Sequence, residues 1–217
     1  MNKNLIKKTF TASSISLLLL PIFYVSFEPG LVGAATAGDT VIVTLVVDAG
    51  LTISAPADVS MSPNISMSAN GSIGSAAWTV TTNSPTGYTL ALKASAAPAL
   101  VSGANSFADY TEAVNGTPDI WSVPSGSKEF GFSAYGTDVT GGTAVWGTGA
   151  SCGSAGVPAG TMKYVGFKTT DKTVSSIATV TPVGGTATTV CFAAEQDTIF
   201  AQSGTYTATI TATATTS

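Results

Sequence analysis

From Gly204 to Thr215 the chain reads GTYTATITATAT, with Tyr206, Ala208, Ile210, Ala212 and Ala214 on one side and Thr205, Thr207, Thr209, Thr211 and Thr213 on the other. A repeat of two belongs to an extended strand, where successive side chains point to opposite faces of the pleated backbone. Such a strand buries its aliphatic side and shows hydroxyls to water. The same requirement recurs along the chain, so a layered β-structure is the expected fold.

Thr40–Asp48 (TVIVTLVVD) places Val41, Val43, Leu45 and Val47 on one face and Ile42, Thr44 and Val46 on the other. Ala49-Gly50 bends the chain and Leu51–Ile53 resumes it before Pro56. Ala76–Thr82 and Tyr88–Lys93 both alternate, and Asn83–Gly87 (NSPTG) between them is a turn by composition, so the pair predicts a β-hairpin. Ala96–Ser127, broken by Pro98, Pro118, Pro124 and several glycines, is expected to be a long irregular excursion with at most a short strand or one helical turn near Ala108–Val114. Glu129–Tyr135, Met162–Phe167, Val174–Val183 and Ala187–Ala194 are further strands, with the Gly-rich stretch Gly141–Gly160 among them. No segment past the N-terminal run shows a helical period. Eight to ten strands with turn punctuation predict an all-β fold: an antiparallel β-sandwich, immunoglobulin-like or jelly-roll-like, forming a single domain over 38–217.

The first 37 residues are of another kind. Lys3, Lys7 and Lys8 precede an apolar run from Ile15 to Phe27, followed by Pro29-Gly30 and the small residues Ala34, Ala35 and Ala37. That order predicts a signal-peptide helix cleaved after Ala34 or Ala37, and the run is short for a membrane span. Its removal leaves five lysines against eleven acids, a net charge of −6, with no arginine and no histidine. A mildly acidic surface of this kind excludes nucleic acid, whose affinity rests on clustered Lys and Arg, and also excludes anionic lipid, so no membrane partner is expected after cleavage. The C-terminus carries no LPxTG-like signal and no apolar tail, so release, non-covalent retention or tethering by an uncleaved N-terminus is expected.

Cys152 and Cys191 are the only cysteines, and an isolated pair in an exported chain predicts a disulfide. Without histidine, Ser-His-Asp and Cys-His catalysis and His-based metal sites are excluded. Asp109, Glu112, Asp119, Glu129 and Asp138 offer carboxylates for glycoside chemistry or for calcium, but they are scattered through loop-like sequence. No catalytic residue, metal ligand or cofactor is therefore assigned. Trp78 on a strand reads first as a core aromatic, whereas Trp121 and Trp146, in loop-like sequence, are better placed to contact a glycan. Asn64, Asn70 and Asn115 head glycosylation sequons.

The segment Ser203–Thr211 (SGTYTATIT) resembles the end of WxL-type surface domains, which close on a Gly-Thr-Tyr-x-Ala strand leading into Trp-x-Leu. Trp78-Thr79-Val80 is similar to their earlier Trp-x-Leu, and Gly50–Ser54 ahead of a proline is of the same flavour. Ala212-Thr213-Ala214 stands where that family places its final Trp-x-Leu. The resemblance implies an exported all-β protein displayed at the cell surface and attached non-covalently to the wall, with Trp78 as a wall contact. The expected function is a non-enzymatic structural or adhesive one, with wall polymer or other surface proteins as partners; a carbohydrate-binding or carbohydrate-active protein is a distant alternative. The closing Gly-x-Tyr strand and the apolar N-terminal strand are also similar to pilus and coat subunits that lend a strand to a neighbour. Val41, Val43, Leu45 and Val47 are expected to pair within their own subunit, the alternative being donation to an open sheet edge in a self-associating filament.

Overall fold

The computed structural model describes residues 37–217. The expected signal peptide and both of its expected cleavage sites fall in or at the edge of 1–36, so that expectation lies outside the described residues. Residues from Val46 to Ser217 form one unit, with 37–45 belonging to a separate N-terminal one.

The described residues contain thirteen strands: β1 Leu51–Ile53, β2 Gly71–Thr82, β3 Tyr88–Ala94, β4 Leu100–Ser102, β5 Asn105–Asp109, β6 Asp119–Ile120, β7 Lys128–Gly136, β8 Gly153–Ser154, β9 Val157–Pro158, β10 Lys163–Gly166, β11 Lys172–Ile177, β12 Thr186–Gln196 and β13 Ile210–Thr216. A five-residue helix, α1, spans Gly142–Trp146. The large sheet runs β1-β2-β12-β7-β10-β6, and β5 lies parallel to β7 and pairs with β4; the small sheet runs β11-β3-β13. Apart from the β5–β7 pair, the ladders are antiparallel. The all-β, chiefly antiparallel expectation holds.

The hairpin expected across Asn83–Gly87 does not form. β2 pairs with β1 and β12, while β3 pairs with β11 and β13. Both strands alternate correctly, but their apolar sides face the same core from opposite sheets. Trp78 and Val80 approach it from one side, and Tyr88, Leu90 and Leu92 from the other. The turn therefore carries the chain between sheets. Gly87 makes that crossing with φ 77°, and a Cβ there would run into the carbonyl of Ile177.

The central strands are covered on both faces. Val190, Phe192 and Ala194 of β12 join Phe130, Phe132 and Ala134 of β7 in the core shared with the small sheet. Cys191 and Ala193 point the other way, into a second cluster with Tyr110, Met162 and Tyr164. That outer face is covered by the stretch expected to be irregular. Its part near Ala108–Val114 contains the end of β5 and no helical turn.

Candidate functional site

No residue from 37 to 50 lies in a strand, although the alternation of Thr40–Asp48 predicts one. Val41, Ile42 and Val43 are 81%, 90% and 88% exposed, and Leu45, Val46 and Val47 are 84%, 78% and 74% exposed. The expected pairing within the subunit is thus absent from the described structure. Two hydrogen bonds fix the base of the segment. Gly50 N–H donates to Asn83 Oδ1 (2.6 Å), and Asn83 Nδ2 donates to Asp48 O (2.8 Å). Keeping this much aliphatic surface in water forgoes roughly 25 cal/mol per Å² of burial, and contiguous exposed apolar surface commonly marks a contact site.

A second feature is the edge of the small sheet. Ser95 N–H donates to Thr209 O, and Ser217 N–H donates to Gly87 O, so odd-numbered residues of this strand aim their backbone groups at β3. Bonding direction alternates along an antiparallel strand. The N–H and C=O of Ile210, Ala212, Ala214 and Thr216 therefore point to the opposite side, where no strand of the described residues pairs with them, although β1 of the large sheet runs close by. The side chains of Tyr206, Ala208, Ile210, Ala212 and Ala214 pack against the core yet stay half-exposed, and the intervening threonines are exposed. The other edge of this sheet is different. β11 is met by 138–140 through Ser176 N–H to Asp138 O and Thr140 N–H to Val174 O.

The outer face of the large sheet holds an aromatic and acidic cluster. Trp121 stacks on Tyr110 (4.5 Å between centroids) and meets Tyr164 edge-on at 5.2 Å. Its Nε1 donates to Glu195 Oε2 at 2.5 Å, and Tyr110 OH donates to Asp119 Oδ1 at 2.7 Å. Gly131 makes the stack fit, since a Cβ there would come within 2.8 Å of Tyr110 and 3.2 Å of Trp121. Glu129 is buried in this layer, and its Oε2 has no hydrogen-bond partner. Burial raises its pKa above the usual carboxylate range, and the charges of Asp119 and Glu112 push it further up. Burial likewise pushes the Tyr164 phenol up to about 12. No local spacing announces this cluster, because Trp121 and Glu195 lie far apart in sequence.

The other carboxylates bind backbone or phenol groups. Asp109 accepts from Ala99 N–H (2.9 Å), Glu112 from Gly166 N–H (2.7 Å), and Asp138 from Tyr88 OH (3.2 Å). Among the described residues no group of three or more His, Cys, Asp or Glu is placed to hold a metal ion. Of the three tryptophans, Trp78 and Trp146 are core residues. Trp146 is 2% exposed, lies 5.8 Å from Phe132, and donates to Thr140 O at 3.1 Å. Neither ring is available for a flat surface contact, because the loop-like sequence around Trp146 folds into α1 and turns it inward. Trp121 alone is half-exposed. Asn64, Asn70 and Asn115 are exposed.

Cys152 and Cys191 form the expected disulfide, with Cα atoms 5.2 Å apart. It ties the Gly-rich stretch to the middle of β12. Comparison with protein-family models, curated proteins and solved structures finds no match to this chain.

Proposed function

We propose that this protein is an exported, non-enzymatic structural component of a cell surface that works by contact with other macromolecules. The observation that carries the reading is the exposed aliphatic segment Val41–Val47 on a chain whose core strand is clamped by a disulfide. The disulfide fits an oxidising compartment, and the displayed aliphatics fit a surface that a partner covers. The threonine face of β13 and the low charge supply solubility through hydroxyl groups. Its partners are wall polymer or other surface proteins, in line with the WxL-type resemblance. Successive strands alternate between the two sheets, from β2 to β3 and from β11 through β12 to β13. That alternation favours a jelly-roll-like reading of the sandwich.

The test is location. Protease added to intact cells should remove the protein, and Cys152 and Cys191 should resist alkylation until reductant is added. A cytoplasmic protein with two free thiols overturns the reading. Pelleting of the purified protein with isolated peptidoglycan separates a wall polymer from a protein partner.

A further inference from the structure

We infer that the partner of Val41–Val47 is a second copy of this chain, and that the segment adds as a strand to the open edge of β13. The inference rests on the export reading, because removal of the signal peptide leaves this segment close to a free N-terminus.

Donor and acceptor match in length. Val41–Val47 and β13 are each seven residues, about 23 Å of extended chain. They match in hydrogen bonding. The edge offers the N–H and C=O of Ile210, Ala212, Ala214 and Thr216, and an extended, proline-free segment presents the complementary groups. Their side chains match as well. Ala212 and Ala214 are small and half-exposed above the core, leaving room beside them for the branched side chains of Val41, Val43, Leu45 and Val47. On the opposite face Thr44, flanked by Ile42 and Val46, would lie beside the hydroxyl row of Thr211, Thr213 and Thr215.

The occupant is a second copy because each copy carries both halves and, among the described residues, pairs neither. Asn83 pins Asp48 and Gly50 beside the turn between the sheets, while Val46 and Val47 just before them remain exposed. β13 ends at the same turn, through Ser217 N–H to Gly87 O, and its outer edge has no hydrogen-bonded strand among the described residues. A donor and an acceptor that differ from each other make a heterologous, head-to-tail contact, which extends into an open filament.

Backbone chemistry gives a clean test. Ala212→Pro removes an N–H that faces away from β3, so the sheet should stand while the edge loses a donor. Val43→Asp with Leu45→Asp disables the strand instead. Processed protein purified from outside the cell should form head-to-tail polymers by light scattering and electron microscopy. Each variant should be monomeric with a Tm within about 2 °C of the parent, and the control Val180→Asp should still polymerise. Mixing the two disabled variants should give one-to-one dimers and nothing larger, since one retains a donor and the other an acceptor. A parent that stays monomeric at all concentrations overturns the inference, as does a mixture that fails to dimerise. A monomer whose Tm falls markedly with the double aspartate variant shows the segment folding onto its own edge, and also overturns it. The assay is blind to location, so its failure leaves the surface reading standing, and a cytoplasmic location would not be hidden by a positive result.

Discussion

Glu129 and Glu195 stand directly opposite each other in the β7–β12 ladder, on the outer face of the large sheet. Two carboxylates in that relation repel when both are ionised. The structure treats them differently. Glu195 accepts the Trp121 indole N–H, whereas Glu129 is 4% exposed with one oxygen unpartnered. Its raised pKa means the folded state holds the proton more tightly than the unfolded chain does. The resulting stabilisation is complete below the unfolded carboxylate range and is lost as pH rises through the folded value. Glu129→Gln keeps the shape without the charge. It should raise Tm at pH 7 by a few degrees, about 1 kcal/mol, and have little effect at pH 4. Thermal melts across that range check this, and an equal shift at both pH values would contradict it.

The disulfide closes a loop with a sequence separation of 39 residues and pins a strand that is buried on both faces. Chain-entropy reasoning gives about 3–4 kcal/mol for such a closure. Replacing Cys152 and Cys191 together by Ala should lower Tm by roughly 10 °C. Cys191 is fully buried and Cys152 only partly so, so reductant should reach the bond of the folded protein from the Cys152 side, which thiol-trapping time courses would follow.

Gly131→Ala tests the close approach of Tyr110 and Trp121 to the large sheet. The new methyl has no free space on that side, and overpacking of this kind costs about 1–3 kcal/mol. Trp121 must shift to admit it, so the indole hydrogen bond to Glu195 should loosen. Fluorescence of a form in which Trp121 is the sole tryptophan, with Phe at the other two sites, should move to the red. An unchanged spectrum and Tm would show that the layer yields freely.

Trp146→Ala should cost about 3–5 kcal/mol, the usual range for removing a buried large aromatic. The ring fills space against Phe132 and satisfies Thr140 O, so both packing and a hydrogen bond are lost. Trp121→Ala should cost less, since that ring is only half-buried. Denaturant unfolding of the two variants gives the comparison directly, and equal losses would contradict the placement of Trp146 in the core.

Class and many of the strands were legible in the chain. The alternations at Ala76–Thr82, Tyr88–Lys93, Glu129–Tyr135, Ala187–Ala194 and Gly204–Thr215 all fall in or overlap strands, because a period of two survives any partner choice. The burial of Tyr206 through Ala214 follows from the same repeat. The cysteine pairing was legible too, since only one pairing exists.

Tertiary structure alone decided who pairs with whom. Alternation marks which side of a strand is apolar but not which sheet the strand joins, so two runs across a five-residue turn look the same as hairpin or as crossover. The crossover buries both apolar faces in one core, bringing Val80 and Leu90 together from opposite sheets. Composition could not foresee that a Pro- and Gly-rich excursion would cover the outer face of the large sheet, because Trp121 and Glu195 meet only once β12 and the loop are both in place. Thr40–Asp48 reads as a strand in the sequence and forms none in the described structure. A sequence can specify a strand by itself, but its ladder needs a partner edge, and only the folded arrangement shows whether one is supplied.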